Sequence, residues 1–142
     1  MNEPKELLRA VVVDDEPVIA DSLVKILQAS GWEAVAAYSG EEAAKKCEVL
    51  DPHVVVADIV MAPMSVFDLA IYLAEHRPQC RIILMSGFSF HDPLVAKSVR
   101  RGFEFLPKPI DPSRFLGLVC GPAPSEEPPG ESIQEASAPG EP

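Results

Sequence analysis

Four side chains stand where chemistry is most often done in an α/β protein. Asp14 and Asp15 follow Ala10-Val11-Val12-Val13, Asp58 closes His53-Val54-Val55-Val56-Ala57, and Lys108 comes soon after Phe103-Glu104-Phe105-Leu106. The apolar, mostly β-branched runs read as strands buried on both faces. A carboxylate at such a strand end is costly to bury. Open α/β sheets place their sites at the carboxyl ends of the strands. Three acids and a lysine meeting there would form a polar pocket suited to phosphoryl chemistry. A carboxylate can attack a phosphoryl group to give an acyl phosphate, a transfer that needs alignment and charge neutralisation more than acid–base help. Each residue also has a plain structural reading. Asp14 and Asp15 could favour a helix N-terminus, Asp58 could be a loop acid, and Lys108 an ordinary surface lysine. Ser86-Gly87, after another apolar run, could be only a turn. All these readings would have to hold together to remove the site.

The elements that must position these residues alternate strand and helix five times. Arg9 to Val13 is a strand. Glu16-Pro17 opens a helix with proline in its first turn. Ile19, Leu23, Ile26 and Leu27 recur at helical spacing before Gly31 ends it. Trp32 to Ala37 is the second strand, and Ser39 caps the helix that follows. Residues 53–57 form the third strand, and a helix runs from about Ser65 to His76, stopped before Pro78. Arg81 to Met85 is the fourth strand. Asp92-Pro93 opens a helix ending near Gly102, Phe103 to Leu106 is the fifth strand, and Asp111-Pro112 opens a last helix that ends by Gly121. This pattern predicts a parallel sheet covered by helices on both faces.

Composition bounds the reading. The chain has 142 residues, 47% of them hydrophobic, which suits one domain with length to spare. No apolar run is long enough to cross a membrane, and Met1 to Glu6 lacks a secretion signal, so a cytoplasmic protein is expected. A net charge of -10 argues against a broad nucleic-acid surface. Cys47, Cys80 and Cys120 show neither metal nor disulfide spacing and read as reduced, small hydrophobes. His53, His76 and His91 have no metal-ligand spacing and read as strand-end, helix-end and loop residues. The division expected is an N-terminal extension over 1–8, a domain over 9–120 and a tail over 121–142. The tail holds six prolines, five glutamates and no Lys or Arg, a composition that reads as unstructured.

The motifs together resemble the receiver domain of two-component response regulators. They are Val11-Val12-Val13-Asp14-Asp15-Glu16-Pro17, Val56-Ala57-Asp58-Ile59-Val60-Met61, Ile83-Leu84-Met85-Ser86-Gly87 and Phe105-Leu106-Pro107-Lys108-Pro109. The resemblance implies a flavodoxin-like sheet of five parallel strands in the order 2-1-3-4-5. It implies that Asp58 accepts a phosphoryl group from a histidine kinase or phosphotransfer protein. Mg²⁺ would sit among Asp14, Asp15, Asp58 and the backbone carbonyl of Val60. Lys108 resembles the lysine that pairs with the phosphoryl oxygens, Ser86 the hydroxyl that binds them after transfer, and Phe105 the switch aromatic. Lys108-Pro109 is a candidate cis peptide. Output would run through contacts with an unknown target protein, since the sequence beyond residue 120 is too short and polar for an output domain. The expectation is thus a stand-alone receiver; dimerisation stays open.

The chain departs from the family pattern after Asp58. The sequence Met61-Ala62-Pro63-Met64-Ser65-Val66 shifts the usual proline by one place and puts valine where glycine is common, which predicts a different turn. Arg101-Gly102 replaces a usual Gly-Ala pair. Lys97, Arg100 and Arg101 share one face of their helix, a solvated face or a docking patch. Val60 and Phe88 are apolar where receivers influence the hydrolytic water, so a long-lived phosphorylated form is expected. Two other functions are weighed. One is a receiver-like module that is never phosphorylated. The other is a small hydrolase with Asp58 as nucleophile, disfavoured because Val60 stands where a second acid would act.

Overall fold

Strand and helix alternate as β1 (Arg9–Val13), α1 (Pro17–Ala29), β2 (Glu33–Ala37), α2 (Gly40–Leu50), β3 (Val54–Asp58), α3 (Val66–His76), β4 (Arg81–Ser86), α4 (Pro93–Arg100), β5 (Glu104–Pro107) and α5 (Pro112–Cys120). This computed structural model describes residues 7–59, 66–87, 93–100 and 103–121. The strands form one parallel sheet in the order β2-β1-β3-β4-β5, the flavodoxin-like order expected.

Local chemistry sets the ends of the helices. Pro17 fills the first turn of α1, and Gly31 after it takes φ +94°, a left-handed conformation that glycine adopts without a Cβ clash. Ser39 Oγ accepts from the Glu42 N–H, and Asp111 accepts from the Arg114 N–H at 3.1 Å, each satisfying a donor the helix leaves open. Asp51 closes α2 with φ 53°, a left-handed position that aspartate tolerates better than most residues.

Alternation along the strands sorts the core into two layers. Ala10 and Val12 of β1, Val54 and Val56 of β3, Ile83 and Met85 of β4 and Leu106 of β5 face α1 and α5, where Leu23, Leu27, Phe115 and Val119 cover them. Val11, Val13, Val55, Ala57 and Leu84 face the other way, onto Cys47 of α2, Leu69 and Leu73 of α3 and Val95 of α4.

Several boundaries move by one residue. Trp32 precedes β2 and is buried against α1 as part of the core. Asp58 is the last residue of β3, in register with Met85, because a polar side chain does not stop its backbone from pairing. Likewise β5 runs from Glu104 to Pro107. Cys47 is buried and Cys80 half-buried, but Cys120 is exposed, which corrects its reading as a small hydrophobe.

At the amino-terminal edge of the sheet a guanidinium ties three elements together. Arg81 donates to both carboxylate oxygens of Glu104, at 2.6 and 2.5 Å. It also donates to the carbonyls of Leu118 and Gly121, both at 2.8 Å. The two side chains are 13% and 10% exposed, so the pair is largely desolvated. Arg81 thereby fixes β5 to β4 and caps the carboxyl end of the short α5.

Candidate functional site

Strand parity decides which residues can meet. Asp14 extends the Ala10, Val12 series, Asp58 the Val54, Val56 series and Lys108 the Leu106 position, all on the α1/α5 face. Val13 and Ala57 are register partners, so Asp14 and Asp58 emerge side by side one residue later. The backbone N–H of Lys108 donates to the Ser86 carbonyl at 2.8 Å. That bond brings the end of β5 up beside β4. The Lys108–Pro109 bond is cis, as the resemblance implied.

The Lys108 ammonium donates to Asp14 Oδ2 at 2.7 Å and to Asp58 Oδ2 at 3.0 Å. Asp14 is fully buried and Asp58 is 9% exposed. Asp14 is held from two sides: its backbone N–H donates to the Ala37 carbonyl, and its Oδ1 accepts from the Glu16 N–H at 2.9 Å. Burial works to lower the pKa of Lys108, yet the hydrogen bonds and charges of Asp14 and Asp58 outweigh it, so the net shift is upward. The amine stays protonated at neutral pH. It neutralises one charge among the carboxylates that surround it.

Asp15 is exposed at the rim. Its carboxylate joins those of Asp14 and Asp58 in a group whose oxygens lie within 4.8 Å of one another. Mg²⁺ binds oxygen at about 2.0–2.1 Å in octahedral geometry and keeps several waters, so opposite ligands stand about 4.2 Å apart. Two carboxylates bound directly and a third through water fit such a group. Hard oxygen donors with no Cys or His among them suit that ion.

Ser86 and Phe105 lie on the other parity. Ser86 is buried at the end of β4. Phe105 is half-buried, packs on the α2/α3/α4 side, and is the register partner of Leu84. The site residues therefore divide between the sheet's two faces: Asp14, Asp58 and Lys108 on one, Ser86 and Phe105 on the other. Val60, Phe88, the 61–65 loop, Asp92 and Arg101 lie outside the described residues.

A feature absent from the sequence reading lies beside Lys108. Val18, Ile19, Ser22 and Ile26 of α1 face Lys108, Pro109 and Ile110 across a mainly apolar groove of about 590 Å³. Val18 is 78% exposed. Its signal in the sequence was an apolar residue off the core stripe of α1.

A doubly covered parallel sheet with acids and a lysine at its carboxyl edge defines a flavodoxin-like protein with an acidic pocket that could hold a metal ion. Residues 10–119 match the response regulator receiver domain, and the chain belongs to that family. It is 28% identical over 112 residues to the chemotaxis protein CheY of Listeria monocytogenes, covering 78% of this chain and 93% of that one. It is 29% identical over 110 residues to the DNA-binding transcriptional regulator NtrC of Klebsiella pneumoniae, covering 78% of this chain but spanning only 24% of that protein. The beryllofluoride-activated NtrC4 receiver domain dimer superimposes with a TM-score of 0.70 and 33% identity, over 79% of this chain and 93% of that one. The family is one of signalling receivers, not of metabolic enzymes.

Proposed function

We propose that Asp58 accepts a phosphoryl group from the phosphohistidine of a histidine kinase or phosphotransfer protein. The observation that carries this is the convergence of Lys108 on Asp14 and Asp58 beside Asp15. An Asp58 oxygen attacks phosphorus, the phosphorus–nitrogen bond of the donor breaks, and its electron pair leaves with the imidazole. Mg²⁺, held by Asp15 and Asp58 directly, by Asp14 through water and by the Val60 carbonyl, would neutralise charge on the transferring group. Lys108 exchanges its Asp58 contact for a phosphoryl oxygen. Ser86 donates its hydroxyl to another, and Phe105 follows on the same face of the sheet. The apolar groove between α1 and the segment after Lys108 opens next to these groups, and there a helix of the donor protein can seat its histidine within reach.

Output runs through protein contacts, as two states of one domain that a target distinguishes. A cytoplasmic setting belongs to the same proposal. Val60 and Phe88 offer no hydrogen bond to a hydrolytic water, which favours a persistent acyl phosphate.

Incubation with Mg²⁺ and acetyl phosphate, followed by intact-mass measurement, tests the assignment. A phosphate-sized gain is expected in the wild type and none in Asp58→Ala. No gain with any phosphodonor would favour the unphosphorylated interaction module. Loss of the label within seconds would overturn its persistence.

A further inference from the structure

Among the described residues β2 ends the sheet on one side, with only β1 as a strand neighbour. The Glu33 N–H donates to the Leu8 carbonyl, and the Ala37 carbonyl accepts from the Asp14 N–H. Alternate residues therefore turn both backbone groups toward β1, and Ala34, Ala36 and Tyr38 turn theirs outward. A row of outward N–H and C=O groups is a template for another strand. The strand Glu33-Ala34-Val35-Ala36-Ala37 has no proline, no lysine and an unbroken register, so it lacks the devices that usually blunt an edge.

Its cover comes from the helices instead. Gln28 of α1 donates to the Ala34 carbonyl at 3.3 Å, and Lys46 of α2 donates to the Ala36 carbonyl at 2.6 Å. Glu42, one turn before Lys46 and paired with it at 3.0 Å, accepts from the Tyr38 N–H at 2.7 Å. That N–H holds the Glu42 carboxyl below its usual range, against partial burial and with help from Lys46. Three side chains thus occupy the positions that a neighbouring strand would fill.

We propose that the outer edge of β2 is a latent pairing surface for a second copy of this chain, held shut by Gln28 and Lys46. The edge is self-complementary. With two copies antiparallel about Val35, Ala34 of each faces Ala36 of the other as a hydrogen-bonded pair, and the outward N–H and C=O groups of both are satisfied. The two Val35 side chains meet in the close pair between them. They do so beside an apolar hollow of about 310 Å³, lined by Val35, Val49, Leu50, Lys45 and Lys46, where Val49 is 89% exposed. In this register Glu33 faces Ala37, so the strands oppose no like charges.

The test is sedimentation equilibrium of the full chain beside the double variant Gln28→Ala, Lys46→Ala. It is run at about 0.15 M salt, so that repulsion between copies of net charge -10 is screened. The double variant should self-associate about tenfold more tightly than wild type, since each freed carbonyl can take an intermolecular bond. Amide hydrogen exchange identifies the surface. Protection of Ala34 and Ala36 should rise with protein concentration in the variant and stay constant in the wild type. Adding Ala36→Pro removes an outward N–H that β1 does not use, a change an edge strand tolerates, and should return the variant to the wild-type mass. If the double variant fails to fold, Lys46→Ala alone decides by the same readouts. Association no tighter than wild type would overturn the proposal. So would tighter association that leaves exchange at Ala34 and Ala36 independent of concentration, or that survives Ala36→Pro.

Discussion

The two ends of the same strands are built on opposite electrostatic plans. At the carboxyl edge three carboxylates cluster and Lys108 pairs with two of them, Asp14 and Asp58, so that among the described residues acids outnumber the ammonium that meets them. At the amino edge Arg81 meets Glu104 one to one, and its remaining N–H groups are spent on backbone carbonyls. The first edge gathers acids and, on the proposed function, gains from a cation and a phosphoryl group. The Arg81–Glu104 pair of the second is satisfied within itself, and it fixes where α5 ends. A single sheet thus separates a reactive end from a structural end, and substitutions at the two should fail in different ways.

The sharpest break is Asp58→Ala. It should abolish phosphate incorporation in an intact-mass assay while urea unfolding stays cooperative, because it relieves a crowded acid. Lys108→Ala comes next. Loss of one preorganised cation should slow labelling by acetyl phosphate about 100-fold, while Mg²⁺ binds more tightly to the uncovered acids in a fluorescence or calorimetric titration. Glu104→Ala breaks the other edge. It leaves Arg81 largely buried without its carboxylate and should lower stability by about 3 kcal/mol in urea unfolding, with labelling of Asp58 retained in the folded fraction.

The smaller effects sharpen the contrast. The Lys108 pKa is raised above its ordinary 10.5. Its contribution to stability is therefore fully present below pH 10.5 and fades as pH climbs through the raised value. With EDTA present, the difference in urea midpoint between wild type and Lys108→Ala should be constant from neutral pH to about 10 and shrink above it. Among the cysteines, burial pushes Cys47 up to about 11 and Cys80 up to about 12. Alkylation near pH 8 should label exposed Cys120 first, with Cys47 and Cys80 slower by about 100-fold or more; equal labelling of all three would mean that the amino edge opens readily.

Most of the carboxyl edge was legible in the sequence because its signals are local. A β-branched run ending in an acid specifies a strand and, to within one residue, where it stops, and Ser39, Asp111, Pro17 and Gly31 mark helix ends by their own chemistry. The amino edge was hidden. Arg81 and Glu104 are 23 residues apart, and nothing in either neighbourhood shows that their strands lie side by side. The apolar groove was hidden for a similar reason. Val18 reads as one more apolar residue of α1 until Pro109 and Ile110, far along the chain, are set opposite it. Boundaries slipped at Trp32, Asp58 and Phe103 because core burial and ladder pairing end at different residues.

The shared parity of Asp14, Asp58 and Lys108 also limits how these strands tolerate change in length. Adding or deleting one residue within β1 or β3 would swing its carboxylate to the far side of the sheet and exchange its two apolar layers. A change of two residues would keep the side and alter only the height. Substitutions along these strands can therefore be absorbed one at a time, whereas single-residue insertions upstream of an acid remove it from the pocket altogether. The site constrains the spacing of the chain as tightly as it constrains the identity of its residues.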